Sequence, residues 1–125
     1  MKKLLKKLLG LLVVASSLAL FSSCNNDFEK EYTIKCEACW KGYWIEVHEY
    51  SEKDELINIQ KIEYLDRQWY TFTSHKNTEK VKIKYGDQYS NGYYYGWVQQ
   101  VFYLDWAEAT IIELTGETLV GQDEP

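Results

Sequence analysis

Between residues 32 and 120 the apolar residues tend to recur at every second position, and turn-forming residues interrupt the pattern at intervals. A period of two belongs to the β-strand, whose successive side chains point to opposite faces; a helix would need 3.6. The stretch 80–85 is the clearest case. Val81, Ile83 and Tyr85 fall on one side and Lys80, Lys82 and Lys84 on the other, which predicts one dry face and one wet face. The lysine row is also expected to discourage pairing along a free strand edge.

Other stretches follow the same logic. Residues 32–40 place Ile34, Cys36, Ala38 and Trp40 on one face, and Lys41-Gly42 turns the chain. Residues 43–50 set Tyr43, Ile45 and Val47 against Trp44, Glu46 and His48. Residues 56–65 alternate through Ile57 and Ile59, then slip one place to Ile62 and Tyr64, as a β-bulge or two short strands would. Residues 68–74, a long run 93–104 after the hairpin-type turn Asn91-Gly92, residues 109–114 and a short stretch 118–120 complete the set. About seven strands in roughly 100 residues predict an all-β fold, a small immunoglobulin-like β-sandwich, with a small β-barrel as the alternative. The Cys…Trp…Cys spacing of true immunoglobulin domains is absent, so the label is architectural.

Residues 1–24 do not belong to this pattern. Lys2, Lys3, Lys6 and Lys7 give a positive start, residues 8–21 form an apolar run, and Ser22-Ser23 lead directly into Cys24. Charge, apolar core and small residues, in that order, make a secretory signal. The run of ~14 residues is short of the about 20 that a membrane-spanning helix needs. With Phe21-Ser22-Ser23-Cys24 in the place of the lipobox, the leader resembles a bacterial lipoprotein signal peptide; Phe21 stands where leucine is usual. The resemblance implies cleavage before Cys24, acylation of that cysteine with palmitate-type chains, and a membrane anchor. Asn25 is not the aspartate that retains enteric lipoproteins in the inner membrane. The polar run to Glu31 is similar to the surface-export tether of Bacteroidetes lipoproteins, many of which carry small β-sandwich domains. The expected organisation is therefore signal peptide 1–23, lipidated cysteine and tether 24–31, sandwich domain 32–120 and acidic tail 121–125. The expected location is the outer membrane, lipid-anchored and surface-exposed, with a periplasm-facing orientation as the alternative.

Removal of residues 1–23 takes away four lysines and no acid, so the 14 basic and 19 acidic residues become 10 and 19. A chain that acidic is repelled by nucleic acid, and no nucleic-acid partner is expected. Nineteen of the 20 aromatic residues remain, mostly Tyr and Trp, which fill cores and also present broad amphipathic faces to ligands.

Motifs for catalysis are lacking. There is no G-x-S-x-G, no H-E-x-x-H and no phosphate-cradling glycine loop. Cys36 and Cys39 form a C-x-x-C that, with His48 and His75, has the composition of a zinc set. An export compartment favours a disulfide over a metal site, and strand flanks do not lower a thiol pKa as a helix N-terminus does. A turn at Glu37-Ala38 would be needed for a metal site or a disulfide. Two unpaired or buried thiols are the first reading, with a local disulfide between Cys36 and Cys39 the second. Glu46 with Glu49, or Asp105 with Glu108, can be named as carboxylate pairs, but nothing separates them from a solvated acidic face. Asp87 and Asn91 lack the regular spacing of a calcium loop. No metal or cofactor is expected.

The strongest functional signal is aromatic. Tyr93, Tyr95, Trp97 and Gln99 share one face of a strand, with rings ~6.5–7 Å apart along it, a spacing suited to stacking on sugars or gripping a peptide. The opposite face, Tyr94, Gly96, Val98, Gln100 and Phe102, is no more apolar, so the buried side is open at this point. The expected function is a lipid-anchored envelope binding module without catalytic activity, with a glycan or an envelope protein as ligand and Trp40 and Trp44 as further contacts. An accessory lipoprotein docked on an outer-membrane complex is the alternative, and a metal or redox protein using Cys36 and Cys39 a remote one.

Overall fold

The computed structural model describes residues 28–87 and 95–125. The leader through Cys24, and Asn91 and Tyr93, lie outside the described residues. Strand β1 (Glu31–Cys36) runs into a 3-10 turn at Ala38–Trp40, followed by β2 (Tyr43–Tyr50), β3 (Leu56–Ile62), β4 (Trp69–Thr73) and β5 (Lys80–Asp87). Then come β6 (Tyr95–Val98), β7 (Phe102–Tyr103), β8 (Thr110–Leu114) and β9 (Val120–Gly121). The fold is an all-β sandwich. Seven strands have four or more residues, and β7 and β9 are two-residue additions.

One sheet has the order β4-β1-β8, with β1 antiparallel to β4 and parallel to β8. The other has the order β3-β2-β5-β6-β9, with β7 also pairing β5. Alternation supplies the core between them. Tyr32, Ile34, Cys36, Ile112 and Leu114 project from the small sheet, and Ile45, Val47, Val81, Ile83 and Val98 from the large one. Burying an aliphatic side chain of this size contributes ~1.5–3 kcal/mol. Among the described residues no helix is long and apolar enough to cross a membrane.

Four features differ from the periodicity. Strand β1 ends at Cys36, not at 40. The backbone N–H of Trp40 donates to the Glu37 carbonyl at 3.0 Å and that of Lys41 to Ala38, a turn that leaves Ala38 and Cys39 exposed. Trp40 is brought back into the core, where its indole N–H donates to the Thr115 carbonyl at 2.9 Å and its ring meets Tyr43 and Tyr85. Second, residues 56–62 are one strand, and the phase shift falls at Ile57: Glu49 pairs Asn58 while Tyr50 pairs Leu56. Third, the long run ending at 104 is divided. Strand β6 stops at Val98, and β7 resumes on a different stretch of β5, with Phe102 beside Val81 and Tyr103 beside Lys80. Finally, the lysine row guards no edge. Strand β5 lies between β2 and β6, so its lysines pave the outer face of an interior strand.

Candidate functional site

The outer face of the large sheet gathers aromatic rings and amines. Ile45 and Val47 point into the core, which sends Trp44, Glu46, His48 and Tyr50 outward from β2. Val81 and Ile83 do the same for Lys80, Lys82 and Lys84 on β5. The register then places Trp97 beside Lys84 and Tyr95 beside Gly86. Each lysine of this face rests over a ring: Lys61 over Trp44 at 5.6 Å, Lys80 over Tyr103 at 5.9 Å, and Lys82 over Tyr50 at 4.6 Å. Lys84 lies 4.2 Å from the Tyr95 ring and 5.8 Å from that of Trp97. Such contacts hold an ammonium by the negative face of the ring without neutralising it. Gly86 is needed here because any Cβ would strike the Trp44 indole, which lies flat across the strand.

Most of these amines have a carboxylate neighbour. Lys61 lies 3.9 Å from Glu46 and 3.7 Å from Glu63, and Lys80 pairs with Asp54. Glu46 also accepts from His48 at 2.9 Å, and the His48 ring meets Trp97 edge-on at 5.0 Å. After β9 the chain crosses the face. The Gln99 side-chain amide donates to the Asp123 carbonyl at 2.9 Å, and Glu124 accepts from the Tyr50 hydroxyl at 2.6 Å and from Lys82 at 3.0 Å. The Tyr50 hydrogen bond, and then Lys82, hold the Glu124 carboxyl below the usual carboxylate range. This contact therefore adds stability at pH above that range and loses it as pH falls through the depressed value. Burial, and then Glu124, push the Tyr50 hydroxyl up.

The sequence-predicted platform is thus assigned a side. No family model, no curated protein and no solved structure matches the chain, so the geometry alone carries the reading. Tyr95 and Trp97 face outward, and the core side of β6 is Gly96 and Val98. Tyr95 is 46% exposed, whereas Trp97 is 7% exposed, shielded beside His48 and Lys84. Gln99 belongs to the same face but is engaged with Asp123. Tyr93 lies outside the described residues. Of the two further tryptophans, Trp44 joins the face and Trp40 does not: it is a core residue at one end of the sandwich.

The other constellations are scattered. Among the described residues no three His, Cys, Asp or Glu side chains come together as a metal site. Cys36 is buried and Cys39 exposed, and both thiols are free. Burial, with a smaller effect from Cys39, pushes the Cys36 thiol up to about 11. Since the thiolate is the reactive form, a maleimide is expected to modify Cys39 rapidly in the reduced native chain and Cys36 only on unfolding. Mass mapping of the labelled peptides checks this, and equal rates would mean that the strand end opens readily.

Glu46 and Glu49 are not a pair. Glu46 points outward; Glu49, far from lying on a solvated face, is fully buried. Its carboxylate accepts from the Tyr32 hydroxyl at 2.6 Å, the amides of Asn58 and Gln60 at 3.1 Å, the His75 backbone N–H at 2.9 Å and the Thr78 hydroxyl at 3.3 Å. Beside it the Lys30 amine donates to the Thr78 carbonyl at 2.6 Å. Burial and Glu49 together push the Tyr32 hydroxyl far up. This knot ties β1 and the loop before β5 to β2 and β3, and it shapes the sandwich instead of facing a ligand. The one signal for it in the sequence is the pair Asn58 and Gln60 at alternate positions of a strand whose other residues are leucine, isoleucine and Lys61.

Proposed function

We propose that this protein is a lipid-anchored binding module of the cell envelope, without catalytic activity, and that it takes its ligand on the outer face of the large sheet. The observation that supports this reading is the exposed Tyr95 ring beside Lys84, on a face that continues through Trp97, Trp44 and Tyr50. A ring exposed to this extent offers a stacking plane, and the adjacent amine adds polar recognition. The leader, ending at Ser22-Ser23-Cys24, supports anchoring through acylated Cys24 and delivery to the outer membrane with the domain outside.

Tyr95→Ala is expected to weaken ligand binding about tenfold or more, in line with the large share of affinity carried by exposed aromatic anchors. The check is a binding screen of the full chain in detergent micelles against glycans and purified envelope proteins. Retention of every interaction by the variant would remove the outer face from the reading. Metabolic labelling with palmitate, abolished by Cys24→Ala, tests the anchor. Protease shaving of intact and lysed cells separates the surface from the periplasmic orientation.

A further inference from the structure

We infer that the outer face recognises an extended acidic peptide segment of a protein partner, and that residues 122–125 sit in this site as a built-in competitor. The inference rests on the binding reading above and adds the chemistry of the ligand.

A short acidic segment already lies on the face. Its carboxylate, Glu124, is held by the Tyr50 hydroxyl and the Lys82 amine, and its backbone carbonyl at Asp123 by the Gln99 amide. These contacts recognise a peptide: one anionic side chain and one main-chain acceptor. Lys84 has no carboxylate in ion-pair range among the described residues, and residues 88–94 contain no acid. Lys82 and Lys84 stand two residues apart on one strand, a spacing of ~6.5–7 Å. An extended peptide with carboxylates at alternate positions repeats that same distance, so it can place one acid at Lys82, in the position of Glu124, and the next at Lys84 between Tyr95 and Trp97. The match is one of charge and of period. A neutral sugar would stack on Tyr95 but leave the Lys84 amine unmatched.

A partner must displace Glu124, so its apparent affinity is lowered by the fraction of time the site is self-occupied. The test is fluorescence polarisation of a labelled peptide of alternating glutamate and threonine against the full chain in micelles, with a glutamine–threonine peptide as control. Glu124→Gln is expected to tighten binding about three- to fivefold, a modest gain because the contact is part-exposed. Asp123→Asn removes the same charge and leaves affinity near the wild-type value, since its contact is through the backbone. Lys84→Ala is expected to weaken binding about tenfold. Equal binding of the glutamine peptide, or equal effects of Glu124→Gln and Asp123→Asn, overturns the inference. Tyr95-dependent binding of galacturonate oligomers without peptide binding also overturns it, while leaving the aromatic face as a ligand site. Absence of any Tyr95-dependent binding removes both.

Discussion

Glu49→Ala is expected to cost the domain about 3–5 kcal/mol of folding stability. The carboxylate is fully buried and receives five donors from β1, β3 and the loop before β5. Hydroxyls and side-chain amides can turn toward other acceptors, but the His75 backbone N–H is fixed and would be left unpaired. A small domain holds only about 5–15 kcal/mol in total, so the variant would lie near the limit of folding at 37 °C. Urea unfolding followed by tryptophan fluorescence measures the loss. Tyr32→Phe, which removes one donor and keeps the packing, is expected to cost about 1.5–3 kcal/mol. A loss under about 1 kcal/mol for Glu49→Ala would mean that water reaches the knot and satisfies the donors.

The second large effect belongs to the opposite end of the sandwich. Trp40→Ala is expected to destabilise by about 3–5 kcal/mol, the range for removing a buried large aromatic residue. The indole touches Tyr43 and Tyr85 and satisfies the Thr115 carbonyl. Its loss leaves a void at the mouth of the core and an acceptor without its donor. Trp40→Phe keeps an aromatic ring in the core and loses the indole hydrogen bond with part of the packing, and a smaller cost is expected. The same variants separate structure from recognition: Trp40 variants are expected to shift the urea midpoint and leave ligand affinity of the folded protein unchanged, whereas Tyr95→Ala does the reverse.

Fold class was legible because it depends on period alone. Lys80 to Tyr85 could be assigned both faces correctly because apolar and charged residues alternate there without exception, and residues 43–50 coincide with β2 although Glu49 breaks the alternation. The side on which Tyr95 and Trp97 lie was not legible. Both faces of that stretch carry aromatics, and what decides between them is Gly96, whose missing side chain makes room for the Tyr85 ring on the core side. That is a fact about a neighbouring strand, which no local pattern contains. Glu49 was misplaced for a related reason. A carboxylate reads as surface unless its donors are known, and those donors sit on three other segments of the chain. Strand β1 was drawn too long because the period was carried through Glu37 and Ala38, where a 3-10 turn replaces the strand, although Trp40 still joins Ile34 and Cys36 in the core, the residues with which the period grouped it. The segment over the outer face could not be foreseen at all, since Asp123 and Glu124 read as an ordinary polar tail until Tyr50, Lys82 and Gln99 are brought beneath them.

The pairing of β1 has a kinetic consequence. This strand is the middle one of its sheet, and Tyr32 pairs with Phe72 on one side and with Thr110 on the other. The first strand of the domain thus closes its second edge only with a segment from near the far end of the chain. Pairings so distant in sequence carry a large loop-closure entropy and form slowly. A chain emerging from its N-terminus, whether from a ribosome or through a translocation pore, would hold β1 with one edge open until β8 follows. Completion of this sheet would wait until residues 110–114 have emerged, and a holding chaperone would be of value during that interval.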